Sequence, residues 1–270
     1  MYYRYYLLKN IIYNKTKYVL YFILLMIMFY IEAVDANTYI TVNNSNAKVG
    51  VFYLIINLFL GMQKYTPGIG IKFEVPYMWI INIFYISFFM GDIPSTNSDF
   101  FEIKAFKSNH KRSSYALAVF LSILMNIVIA SVVFALVVVI YFCFIGWNRF
   151  ESILFLNARH EIDFTFLEKD DFLIEITIIF LLGVLMIMML QSVVCYFLDA
   201  KVSYIFVLLL LVIGTYYVSF LLPGNYCMIL RNGEICYRGV TLIQCLIYSI
   251  VCVFIFFFSI SINIAKKDLL

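Results

Sequence analysis

The chain has 270 residues, of which 64% are hydrophobic, 19% aromatic and 13% charged, with a net charge of +3 and a mean hydropathy of +0.97. A soluble domain carries roughly 25% charged residues, so composition excludes one and points to an all-α polytopic membrane protein, a single domain over 1–270. The small net charge, without a long block of one sign, excludes a nucleic-acid partner.

An amphipathic helix is expected over 1–17, basic at Arg4, Lys9, Lys15 and Lys17. Six transmembrane helices follow at about 18–34, 76–91, 114–141, 173–197, 203–222 and 240–264, since about 20 apolar residues cross a bilayer. The stretch "YNKTKYVLYFILLMIMFYIEAVDA" also fits a signal peptide ending at Ala36, with a basic start, an apolar centre and small residues at its end. Retention as an anchor is the expected reading, because cleavage would leave five spans with an outer N-terminus. The run "VFYLIINLFLGM" at 51–62 is too short to span and is expected to be re-entrant or interfacial, with Gly61, Pro67, Gly68 and Gly70 breaking the helix after it.

Orientation follows from Lys and Arg. The N-terminus, the loop after the second span, the turn at Lys201 and the tail hold 11 of the 19 basic residues and five of the 16 acids. The positive-inside rule therefore places both termini and the 92–113 loop in the cytoplasm.

Within that loop, Pro94 and "STNS" make a turn. Asp99 can then cap a short helix with Glu102 three residues on, while Phe100, Phe101, Ile103 and Phe106 form its apolar face and Lys104, Lys107, Lys111 and Arg112 supply the basic residues of the loop. Two readings stand: a helix lying on the membrane surface, or a knob for a groove on a cytoplasmic partner.

Catalytic patterns are lacking. No Gly is followed directly by Lys, so there is no P-loop. The motif "HEIDF" at 160–164 starts like a zincin helix but carries Phe164 where the second ligand belongs. Asp92 in "FFMGD" reads as a helix-ending acid, because no second intramembrane Asp accompanies it. No catalytic, metal-binding or cofactor-binding residue is therefore expected. The polar residues singled out within spans are Asn82, Asn126, Glu175, Gln191 and Gln244, which serve first as helix-to-helix hydrogen bonds. Of six cysteines, Cys227 and Cys236 lie in the outer loop "GNYCMILRNGEICYRG". Asn232-Gly233 is a type I′ hairpin signal there. In that register position 236 faces Ile229, so a Cys227–Cys236 disulfide needs a shifted register or a longer loop.

The basic N-terminal helix, the "PYMW" entry to the second span, its "GDIP" exit, the "RSS" start of the third and the closing "AKKDLL" together resemble the membrane subunits of type-2 (exporter class) ABC transporters. More narrowly, the chain resembles the small permeases of Gram-positive peptide-toxin and lantibiotic exporters, those of phenol-soluble modulins among them. The resemblance covers nearly the whole chain as layout, and the 35–75 outer segment departs from it. It implies a coupling helix at Asp99, Phe100, Phe101, Glu102, Ile103, Phe106 and Lys107 that docks on a separate nucleotide-binding ATPase subunit. That subunit would bind ATP and Mg, with no cofactor in this chain. It further implies a second copy or a paralogous permease, an amphipathic or hydrophobic peptide as cargo, Met-rich walls at "VLMIMML" (184–190) and the plasma membrane of a bacterium. Two other classes fit the composition: a non-catalytic subunit of a membrane complex, and a toxin-immunity protein acting through its outer loops.

Overall fold

Apolar residues without interior proline make long helices wherever hydropathy is sustained, and the computed structural model follows that rule. It describes residues 2–42, 48–65, 75–89 and 112–267, with side chains over 14–42, 48–65, 75–89 and 116–260. The described residues are helical, with no strand beyond one isolated bridge. In chain order the helices are α1 (Tyr2–Val42), α2 (Val51–Leu60), α3 (Tyr77–Phe88), α4 (Arg112–Ile145), α5 (Arg149–His160), α6 (Asp170–Phe197), α7 (Ala200–Tyr216) and α8 (Leu242–Lys267). Single turns stand at Thr165–Glu168, Pro223–Tyr226 and Ile229–Arg231. Four segments are long and apolar enough to cross a membrane: Asn14–Val42, Ala116–Ile145, Asp170–Phe197 and Leu242–Ile260. The protein is accordingly a helical membrane protein.

Contacts fix the direction of each helix between a base, where Asn14 meets Phe89, and an opposite crown. The α1 and α4 helices rise together from the base, since Tyr18 pairs with Asn126 and the Tyr141 hydroxyl donates to Met26 O at 2.9 Å. Both α6 and α8 descend, with the Cys245 Sγ 3.7 Å from Ile179 O. Between them α7 rises, its start fixed by Asp199 Oδ1, which accepts from Val202 N–H at 2.7 Å.

The α2 and α3 helices form a broken descent. At the crown the Val51 N–H donates to Gly146 O at 2.9 Å and the Gly50 N–H to Ser152 Oγ at 3.2 Å. The helix ends part-way down at Gly61, whose φ of +72° suits glycine. There Met228 packs so closely that a Cβ on Gly61 would lie 2.4 Å from its Cγ. The second half begins at the same level, where Trp79 Nε1 donates to Cys227 O at 2.7 Å, and it runs down to Phe89 at the base. At about 1.5 Å per residue the two halves measure about 15 Å and 18 Å.

Two ends of that description differ from the sequence reading. The N-terminal helix and the first span are one continuous helix that runs past residue 34 to Val42. Its acids find partners on other helices: buried Glu32 accepts from Asn57 Nδ2, and exposed Asp35 pairs with Arg159, which also donates to the Tyr53 hydroxyl at 2.5 Å. The 51–62 run is a helix buried on most of its surface among other helices, so it is not an interfacial one lying against headgroups.

The crown is closed by α5 and the segment around it. Arg149 bonds Asp170 at 2.6 Å and Leu167 O at 2.6 Å, and Asn157 Oδ1 accepts from Phe164 N–H at 2.7 Å. His160 packs edge-on against buried Phe164, with ring centroids 6.2 Å apart. The zincin-like ligand position is thus a core aromatic. Burial, and then the nearby Arg159 charge, lowers the His160 pKa from 6.5 to about 4. Its neutral form belongs to the folded state, so the stability at this site is complete above pH 6.5 and declines as pH falls toward 4, where only the unfolded chain takes up the proton. The melting temperature should consequently fall further between pH 7 and pH 4.5 in the wild type than in His160→Gln. Equal declines in a dye-monitored melt of detergent-solubilised protein would show that His160 does not titrate this way.

Candidate functional site

The expected coupling helix at Asp99, Phe100, Phe101, Glu102, Ile103, Phe106 and Lys107 lies outside the described residues, as does Asp92. The described residues do define the platform from which that loop departs. At the end of α3, three side chains from two other helices converge on two backbone carbonyls. Asn14 Nδ2 donates to Phe89 O at 3.3 Å, while Lys17 Nζ and the Tyr204 hydroxyl donate to Phe88 O at 3.2 and 3.4 Å. These carbonyls belong to the last turn of a helix, where they lack intrahelical donors and carry the negative end of the helix dipole. Rings reinforce the joint. Tyr18 and Tyr21 meet the Phe89 ring edge-on at 5.0 and 5.4 Å, and Lys17 sits 4.6 Å over the Phe88 ring. Both α1 and α7 therefore hold the point where the chain enters 90–111.

Above this joint lies a belt of buried polar groups. The Tyr21 hydroxyl donates to Asn82 Oδ1 at 3.0 Å and Tyr18 to Asn126 Oδ1, tying α1 to α3 and to α4. Gln191 on α6 is fully buried with both amide atoms unpartnered, and Asn82 Nδ2 is likewise unpartnered. Asn82 and Asn126 act as the helix-to-helix links expected of them. Gln244 does not, because it caps α8. Thr241 N–H donates to its Oε1 at 3.1 Å, and its own N–H donates to Thr241 Oγ1 at 3.4 Å, a reciprocal capping box.

An apolar cavity of about 410 Å³ stands between α2, α4, α6 and the descending 226–240 segment. Phe59 bridges its two long helices, with ring centroids 5.4 Å from Phe134 and 4.6 Å from Phe180. The lining includes the exposed residues Ser131, Thr177 and Leu181, so the cavity reaches the outer surface between α4 and α6. By contrast the expected Met-rich wall is core: Met186, Met188 and Met189 are fully buried.

The segment after α7 dips into the bundle, and residues 223–232 are all buried. Asn225 Nδ2 donates to Tyr217 O and Ser219 O at 2.9 Å each, and the Tyr226 hydroxyl to Phe220 O at 2.7 Å. Arg231 is fully buried. Its Nη2 donates to Thr215 O at 2.7 Å in the last turn of α7, and its Nε and Nη1 have no partner. A cation is favoured at a helix C-terminus, which is what α7 offers it.

The expected Asn232-Gly233 hairpin is not what forms. Asn232 has φ −64° rather than the positive value a type I′ turn requires. Its side chain accepts from Glu234 N–H at 2.9 Å and its carbonyl from Cys236 N–H at 2.8 Å, so the chain coils before Val240 returns to Arg231 O. Both cysteines of the possible disulfide are free thiols. Cys227 faces α6, where its Sγ would lie 2.8 Å from a Cβ on Gly183, and Cys236 stands in the half-exposed turn beyond.

Glu32, Asp35, Arg159 and Arg231 are the charged residues that reading by hydropathy passes over. A signal existed for the first pair. Glu32, Asp35 and Tyr39 recur at helical spacing, so one face of a continuing α1 could carry all three. Nothing in the sequence marks Arg231 as buried. No family model matches the chain, and no curated protein or solved structure is detectably similar to it.

Proposed function

We propose that this chain is the membrane-spanning permease subunit of an ATP-driven ABC exporter in a bacterial plasma membrane, acting with a separate nucleotide-binding subunit. In this reading the six passes are α1, the split pair α2 and α3, α4, α6, α7 and α8, with both termini and the 90–111 loop in the cytoplasm. The chain supplies no ATP or Mg site of its own. It works beside a second copy or a paralogue, and its cargo is an amphipathic or hydrophobic peptide.

The supporting observation is the joint at Phe88 and Phe89. A subunit that pulls on residues 99–107 pulls on the end of α3, and Asn14, Lys17 and Tyr204 pass that displacement directly to α1 and α7. Sub-ångström motion at such a packed joint is converted into rigid-body rocking, because close-packed side chains do not deform continuously. The pass in question is also broken, since α2 and α3 are separate helices.

The test is co-purification of the tagged protein from its native host in mild detergent. A stoichiometric P-loop subunit with vanadate-sensitive ATP hydrolysis is expected. Replacing Phe100, Phe101 and Phe106 together by Ser should strip that subunit while the chain stays in the membrane. Elution alone, or with subunits that hydrolyse no ATP, would overturn the proposal in favour of a structural membrane subunit.

A further inference from the structure

Hydrocarbon is the solvent around α4 and α6, and the cavity between them opens into it. Ser131 lies about 21 Å along α4 from its crown end, and Thr177 about 10 Å along α6 from its own. Both positions fall within the apolar segments Ala116–Ile145 and Asp170–Phe197. The mouth is flanked by outward apolar residues, Val128 and Val132 on one helix and Ile174 and Ile178 on the other, each at least 41% exposed. Whatever enters from the side therefore comes from the acyl layer.

The lining offers such a visitor no hydrogen bond from its hydroxyls. Ser131 donates to Ile127 O at 2.9 Å and Thr177 to Leu173 O at 2.7 Å, each within its own helix. Tyr21 is spent on Asn82 and Tyr226 on Phe220 O. Water in a cavity needs two to four polar partners, and apolar cavities of about 150 Å³ stay dry and take up hydrocarbon. At about 410 Å³ this one is far larger. Left empty, its aromatic and aliphatic walls would forfeit their dispersion contacts.

The geometry points to a lipid-binding site: one acyl chain of a membrane phospholipid inserts sideways between α4 and α6, past Ser131 and Thr177, and ends against Ile55 and Phe59 of α2. The occupant is a membrane lipid because the mouth is continuous with the lipid-facing surfaces of both helices. The site lies beside the contact that Phe59 of α2 makes with the two long helices and needs no ATPase partner, so it stands or falls independently of the exporter reading.

The full chain in vesicles of phosphatidylglycerol and phosphatidylethanolamine, doped with a phospholipid bearing a diazirine at mid-chain, tests this. After irradiation, adducts are expected on Phe59 and Ile55 as well as on the outward Val132 and Ile178. Ala130→Phe fills the cavity and Ser131→Phe blocks its mouth, the second at an exposed position that carries little folding burden. Either should cut labelling of Phe59 at least fivefold and leave Val132 and Ile178 unchanged. Labelling confined to the outward residues, Phe59 labelling that ignores Ser131→Phe, or labelling of Phe59 by an apolar photo-peptide but not by the lipid would each overturn the site.

Discussion

Trp79→Ala should lower the melting temperature of the solubilised protein by roughly 10 °C or more. Trp79 is the largest of the fully buried side chains, at 1% exposure, and its ring fills the level at which α2 ends, α3 begins and the 223–231 segment descends. Truncating a buried Trp costs about 3–5 kcal/mol, and each kcal/mol moves the midpoint by about 2–4 °C in a chain of this size. A second loss adds to the first, because the Cys227 carbonyl gives up its donor at 2.7 Å. Trp79→Phe separates the two. It keeps most of the volume and orphans only that carbonyl, for about 1–3 kcal/mol, so the order of stability is wild type, Phe, Ala. The thiol of Cys227, buried beside Gly183, supplies an independent reading. Its alkylation by a small maleimide should be slow in the wild type and fast in Trp79→Ala. If both variants melt with the wild type, α3 is not anchored through this ring.

Gly50→Ala should prevent accumulation of folded protein. A Cβ there would stand 2.2 Å from Trp147 O and 2.6 Å from its carbonyl carbon, and neither atom is the movable end of a side chain. Relief requires α2 to withdraw from the α4–α5 link, which breaks the bonds from Val51 N–H to Gly146 O and from Gly50 N–H to Ser152 Oγ. With them goes the packing of Phe52, Tyr53 and Leu54, all buried. Ser152→Ala is the control. It removes one hydrogen bond without a clash and leaves the buried Gly50 N–H unpaired, should cost about 1–3 kcal/mol, and should leave a monodisperse peak in fluorescence-detected gel filtration. A monodisperse Gly50→Ala would mean that the crown tolerates a separation at this contact.

Hydropathy made the long helices legible because it registers what these residues do against lipid, and α4, α6 and α8 lie where the apolar runs lie. Where helices end is decided by partners, which a window of neighbouring residues does not contain. The first span looks finished at Glu32 and Asp35 only until Asn57 and Arg159, from other helices, are seen to meet them. Glycine signals fared according to their cause. Gly61 ends α2 by its own backbone freedom, as its position predicts. Asn232-Gly233 loses its hairpin to the bonds that the Asn232 side chain and carbonyl accept from Glu234 and Cys236. The cavity was not legible at all, because its walls come from segments as far apart as Phe52 and Val240 and are made of the same residue types as the lipid-facing surface.

The broken descent bears on how the chain is made. A nascent segment is retained in the membrane when roughly 17–25 apolar residues arrive together, and α2 and α3 arrive as 10 and 12 with sixteen residues between them, 61–76. The ring and backbone that hold the break, Trp79 and Cys227, are 148 positions apart in sequence. At bacterial and eukaryotic synthesis rates of about 5–20 residues per second, α3 waits on the order of ten seconds for its partner. The joint between α3 and the 223–231 segment is thus among the last contacts of the bundle to close as the chain is made.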